Sequence, residues 1–181
     1  MNQVTNSAFA KLLEYEKRSR SFEPDLGSAG TPENEWSGIT FSLGAARLAC
    51  NIGRISEILP CPPSTPVPGA KDWIVGLANV RGELLTVIDL GHFLSGERSP
   101  VTTSSRLLAT TLNKAPIGLQ IDEVFGQRRF LDSDAEPAEL EEDSPLRRLV
   151  SRRHRVGTEI WHELDLERLF NAAEFLNGSA H

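Results

Sequence analysis

His162-Glu163 is the pair in this chain that comes nearest to a hydrolytic metal motif. Such a motif needs a second histidine four positions on, so that both rings leave one helix face toward the ion. Leu164-Asp165-Leu166 follows instead, and the set is incomplete. His92 and His154 read as surface or boundary histidines, one beside a turn and one inside an arginine cluster. Cys50 falls on a strand alternation and is expected in the core, while Cys61 sits among prolines with no basic sequence neighbour to activate it. There is no GxSxG, P-loop or GxGxxG pattern. The residues therefore predict no catalytic group, no metal centre and no cofactor. What remains is recognition chemistry. Arg81-Gly82 interrupts two apolar runs and sets a guanidinium at the rim of a hydrophobic region. An apolar seam with one forked donor beside it suits a peptide-binding groove, in which area supplies affinity and the fork supplies orientation. The same two residues also fit an ordinary solvated turn.

The elements that must hold Arg81 are short strands. Residues 73–80 are apolar and β-prone, and Gly76 within them marks a bulge or a close backbone approach, either structural or for a ligand. Residues 84–88 form a nearly continuous apolar run, which predicts a central strand buried on both faces. Upstream, Ile39, Phe41 and Leu43 alternate with polar residues, Gly44-Ala45 turns the chain, and Leu48, Cys50 and Ile52 return. Five prolines between Pro60 and Pro68 predict a surface loop of extended geometry. Further strand candidates are residues 107–112, 117–121, 124–130 and 156–164. Phe9, Leu12 and Leu13 have helical spacing, so residues 1–20 are expected to form an amphipathic helix and 21–35 a linker.

With 181 residues, 39% hydrophobic and 24% charged, the chain is one domain or two small lobes with an ordinary soluble composition. No apolar run approaches the roughly 20 residues needed to span a bilayer, and the N-terminus lacks a secretory signal pattern. The unpaired Cys50 and Cys61 fit a reducing compartment, so a cytoplasmic location without membrane insertion is expected. A net charge of −6 argues against nucleic acid, whose binding rests on phosphate neutralisation. The charge is uneven: seven acids and no base lie between Asp132 and Asp143, and five arginines with His154 lie between Arg147 and Arg155. This stretch reads as a solvated loop followed by a solvated helix face, or as a charged docking surface.

Ile88-Asp89-Leu90-Gly91-His92-Phe93-Leu94 recurs 76 positions later as Leu164-Asp165-Leu166-Glu167-Arg168-Leu169-Phe170. Each copy reads apolar, Asp, Leu, any, any, apolar, apolar, and each Asp suits the N-cap of a short helix. A strand–turn–strand pattern precedes each copy, at residues 41–52 and 111–121. Two related halves, 36–94 and 106–170, predict a mainly β fold of paired small barrels.

Gly76-Leu-Ala-Asn-Val-Arg-Gly-Glu-Leu-Leu-Thr-Val-Ile-Asp-Leu90 resembles the signature of the CheW family, the couplers of bacterial chemosensory arrays. Ser56-Glu57-Ile58 and residues 118–126 resemble two further elements of that family. The resemblance runs from about Trp36 to Phe170, and Val80 stands where the family favours Leu. It implies two SH3-like five-stranded barrels around a shared core, over residues 36–172, with 173–181 as a tail. It also implies a non-enzymatic adaptor that binds the cytoplasmic tip of a methyl-accepting chemoreceptor and the regulatory domain of a CheA-like histidine kinase, at membrane-associated arrays. Asn79, Val80, Arg81 and Gly82 would line a receptor-facing groove between the lobes. Gly76 would shape the strand beside it, and Glu57 would lie on an element tied to coupling. The tryptophan-led first strand, the proline-rich loop and the N-terminal helix resemble the branch of the family associated with type IV pilus twitching motility.

Overall fold

The computed structural model describes residues 34–177. The expected helix at 1–20 and nearly all of the linker lie outside the described residues. Eleven strands form two sheets among those described. The first half supplies β1 (Glu35–Leu43), β2 (Ala46–Asn51), β3 (Glu57–Pro60), β4 (Ile74–Val80), β5 (Glu83–Asp89) and helix α1 (Leu90–Ser95). The second supplies β6 (Arg106–Leu112), β7 (Ala115–Ile121), β8 (Glu123–Leu131), β9 (Ala135–Pro137), β10 (Val150–Val156), β11 (Glu159–Leu164) and helices α2 (Leu166–Asn171) and α3 (Ala173–Leu176). No helix among them is long and apolar enough to cross a membrane.

One sheet runs β8-β1-β2-β11-β10-β9 and the other β3-β6-β7-β5-β4. The lobes therefore do not divide at 36–94 and 106–170 as the repeat suggests. Each half gives its first hairpin to one sheet and its remaining strands to the other. The physical reason lies in the two parallel ladders, β2 with β11 and β5 with β7. Parallel neighbours need long crossovers, which strand periodicity does not encode.

The repeat itself is carried into the backbone. The ladder slips between Ile74 and Gly76 in the β4–β5 hairpin, and again between Val150 and Arg152 in β10–β11, at the same 76-residue spacing. Asp89 caps α1 through His92 N, and Asp165 caps α2 through Glu167 N and Arg168 N. Both aspartates hold the extended backbone usual for an N-cap, leaving the carboxylate to take up amides of the first turn.

Alternation along each strand sorts side chains between three apolar clusters. Phe41, Leu48, Cys50, Leu108, Leu119, Leu164 and Leu169 belong to the large cluster in which the two sheets meet. Ala49, Phe130 and Trp161 fill the first barrel, with Trp36 against them. Ala78, Leu85, Val87 and Leu107 fill the second. Strands such as β2 and β6 thus bury both faces, because one face looks into a barrel and the other into the seam. β5 does so only in part: Leu85, Val87 and Ile88 are buried, but Leu84 is 62% exposed, against expectation. Phe175 is also buried, among Trp73, Phe93 and Phe170, so the first residues of the expected tail belong to the core.

The charged stretch departs from the expected loop and helix face. Residues 150–156 form a strand, and the acids before it supply its neighbour β9. Arg153 pairs with Glu136 and Glu139, and Arg152 with Asp132 and Glu163, so the opposite runs neutralise each other within the fold. His154, taken for a surface residue, is 1% exposed. It packs against Trp36 and Phe130 and meets Glu163 Oε2 at 3.0 Å, because strand alternation turns it into the barrel between outward-facing arginines.

The two caps are chemically alike but differently placed, which separates their energetic roles. Asp165 is partly exposed, and Asp165→Ala should cost about 1 kcal/mol, the usual worth of an N-cap. Asp89 is 4% exposed and also accepts from Ser99 N at 3.0 Å. Asp89→Ala should lose a further ~1–3 kcal/mol from the stranded amide. Equilibrium urea unfolding of both variants would check the order.

Candidate partner-docking site

The β4–β5 hairpin closes through Arg81 and Gly82, with Val80 paired to Glu83 across the turn. Both turn residues have positive φ, +53° at Arg81 and +91° at Gly82. A two-residue turn of that hand matches the twist of its strands but is favourable mainly for glycine, asparagine or aspartate at its first position. Arginine there is held in a conformation that L-residues disfavour. Asn79 compensates locally: its Oδ1 accepts from Gly82 N at 2.9 Å.

Glu57 is brought to this turn from the other edge of the same sheet. β3 pairs with β6, placing Glu57 opposite Ala109, while β4 and β5 lie at the far end of the strand order. Curling of the sheet into a barrel joins the edges, and Arg81 Nη2 donates to Glu57 Oε1 at 2.5 Å. The Arg81 side chain is 75% exposed even so. An ion pair this exposed adds little to stability, so its geometry concerns presentation more than folding.

Five of the six expected residues thus sit on one hairpin, and the sixth is ion-paired to it. All six belong to the second sheet or its turn. Alternation gives Val80 to the inside, where it packs on the barrel cluster. Gly76 serves the fold. It lies at the bulge with φ +151°, and a Cβ there would come within 2.3 Å of the Thr65 carbonyl oxygen. Thr65 N donates to Leu77 O at 2.8 Å, and Leu77 N donates to Thr65 O at 2.8 Å, so the proline-rich loop is stitched to β4.

Sequence reasoning missed the apolar half of this surface. Ile58, Leu77 and Leu84 are exposed on the strands that carry Glu57, Asn79 and Arg81. The register sets Leu84 opposite Asn79, on the solvent face of the hairpin. The available signal was parity. Leu77 and Leu84 fall out of step with Ala78, Val80, Leu85 and Val87, which face the barrel interior. The hairpin thus exposes Leu77 and Leu84 on its outer face, with the Arg81 guanidinium at its turn paired to the Glu57 carboxylate.

The nucleophilic and metal-ligating residues are dispersed. No group of three or more His, Cys, Asp or Glu among the described residues could hold a metal ion. Burial pushes the Cys50 thiol up to about 12. Cys61 has a basic neighbour after all, Arg106, brought beside it by the β3–β6 pairing. Burial still outweighs that charge and leaves the thiol raised. Burial and the Arg153 charge both lower the His162 pKa.

Two outcomes follow. Arg81→Gly removes the left-handed strain at the cost of a freer unfolded chain, so stability should stay level or rise by up to about 1 kcal/mol in urea titration. With a disulfide-exchange reagent, the folded protein should release one thiol equivalent, slowly, from Cys61. Cys50 should react only once denaturant is added.

Residues 37–174 match the model of the CheW-like domain. Protein PilI of Pseudomonas aeruginosa is 37% identical over 122 residues, covering 67% of this chain and 68% of its own. Protein FrzA of Myxococcus xanthus is 30% identical over 125 residues, covering 69% and 77%. The crystal structure of scaffolding protein TtCheW from Thermoanaerobacter tengcongensis aligns with a TM-score of 0.67 at 20% identity, covering 81% of this chain and 97% of that one. That identity speaks to the fold alone, and the fold agrees with the paired barrels described above. With the family match spanning most of the chain and two relatives at 30% identity or more, the chain belongs to the CheW-like domain family.

Proposed function

We propose that this protein is a non-enzymatic coupling adaptor, joining the cytoplasmic tip of a methyl-accepting chemoreceptor to the regulatory domain of a CheA-like histidine kinase. The observation that carries the reading is the β4–β5 hairpin, which presents exposed Leu77 and Leu84 with Arg81 at its turn, ion-paired to Glu57 of β3, itself followed by exposed Ile58. Apolar side chains left in water on a rigid sheet gain free energy when a partner covers them, at about 25 cal/mol per Å². The guanidinium at their edge fixes the partner's register through charge-assisted hydrogen bonds. Glu57 holds that guanidinium ready, so less side-chain entropy is lost on docking. Asn79 and Gly82 act by shaping the turn, and Gly76 by letting the proline-rich loop brace β4.

Likeness to PilI favours a system controlling type IV pilus twitching motility. The adaptor would work in the cytoplasm, recruited to membrane-associated receptor arrays through its partners.

The test is binding to a chemoreceptor-tip fragment and a CheA-like regulatory-domain fragment from the same organism. Arg81→Ala should weaken receptor binding about 10- to 150-fold, the effect of ~1.5–3 kcal/mol, and leave kinase binding intact. Arg81→Lys should recover only part of the loss, since an ammonium lacks the planar fork. Exchanging the charges, with Arg81→Glu and Glu57→Arg together, should keep the internal pair but not receptor binding. Recovery in that double variant, or unchanged binding in Arg81→Ala, would reject the docking role.

A further inference from the structure

We infer that the mouth of the second barrel, at the far end of β5 from Arg81, is a binding site for a small organic anion with an apolar body. The inference does not rest on the partner-docking reading, because none of the six residues discussed there lines this mouth.

The mouth is a cavity of about 310 Å³, at the lower end of the range for ligand sites. Its floor is polar. Asp89 and Gln120 lie side by side in the β5–β7 ladder, each 4% exposed. The two oxygens of Asp89 are taken up by His92 N and Ser99 N. The carboxamide of Gln120 makes no hydrogen bond to any described residue. Among the described residues the partnerless polar atoms sealed from solvent belong to Trp36, His92, His154, Trp161 and His162, and Gln120 lines the cavity. A carboxamide that lines a cavity and has no protein partner is free to bond whatever enters that cavity.

The pseudo-symmetric mouth of the first barrel shows that the fold does not require this arrangement. Asp165 stands there in place of Asp89, and carrying the β2–β11 register two residues on places Asn51 in place of Gln120. Asn51 is exposed, and its side chain is occupied by Gly53 N. Only the second barrel keeps a buried, uncommitted carboxamide at this position.

The walls set the ligand class. Val67, Ile74, Val75 and Val101 make one side apolar, and Val67 and Val101 are themselves exposed at the rim. Lys71 and Arg98 stand over the opening, paired with no described carboxylate. Asp72 is the acid at the rim, exposed and therefore screened. With Asp89 committed to backbone amides and the free His92 Nδ1 sealed from solvent, the donors facing the cavity are the Gln120 amide, the Ser99 hydroxyl and two cations. A short branched carboxylate fits them: its alkyl end lies on the valines, and its oxygens accept from Gln120 and Arg98.

Amide chemical shifts of the labelled full-length protein would test the site, with isovalerate as probe. Inorganic phosphate and neutral isovaleramide serve as controls. Isovalerate should give saturable shifts at Ser99 and at the Gln120 side chain, with either control at least about tenfold weaker. Gln120→Leu should abolish saturation while keeping a folded spectrum. Arg98→Ala, on an exposed residue, should weaken it about tenfold even if the Leu variant does not fold. Shifts that never saturate, saturation undiminished in both variants, or an equal response to phosphate would each overturn the assignment.

Discussion

The whole structure depends on the apolar seam between the two sheets. Phe41, Leu48, Leu119 and Leu169 have no measurable exposure, and they come from both halves of the chain. Full burial of each such side chain is worth about 1.5–3 kcal/mol. No comparable reward is available inside a single small barrel, where Ala78, Leu85, Val87 and Leu107 make up the buried filling of the second. The seam therefore decides which strand faces turn inward. It forces β2 and β6 to be apolar on both sides, and it positions the Asp-capped helices that close over it.

Much of this was legible in the residues. The Asp-Leu echo identified real caps, and the bulges at Gly76 and Arg152 repeat at the same spacing. Most strand positions followed from alternation and from turn residues, but β3, β9 and β10 did not. The assignment of strands to sheets did not, because a parallel neighbour is chosen by distant packing and not by local pattern. His154 illustrates the same limit. Among arginines it looks solvated, yet alternate residues of one strand face opposite sides, and its own side holds Trp36 and Phe130. In the acidic stretch, composition suggested solvent, and its acids are exposed, but the arginines of β10 also give Asp132, Glu136 and Glu139 partners.

At the proposed docking surface the signature residues divide by task. Gly76, Asn79 and Gly82 satisfy the backbone, Val80 fills the barrel, and Arg81 with Glu57 faces outward. A signature read as one contact patch is thus mostly the scaffold that presents a single side chain. The exposed leucines beside it carry no mark of their own in the sequence, since an apolar residue in a strand is read first as core. An arginine held at positive φ is a local conflict between backbone preference and side chain, and such conflicts tend to persist where a function needs the side chain there.

The exchange of strands between halves also bears on how the chain comes off the ribosome. β1 has its hairpin partner within a few residues, but its other edge waits for β8, with Glu35 meeting Leu131 almost a hundred residues later. β2 waits longer still, for β11. During vectorial synthesis neither sheet can be completed by the first half alone, so unpaired edges persist until the second half emerges. A nascent chain of this kind must be kept from pairing with its neighbours on the polysome, and its folding is deferred until β11 has emerged.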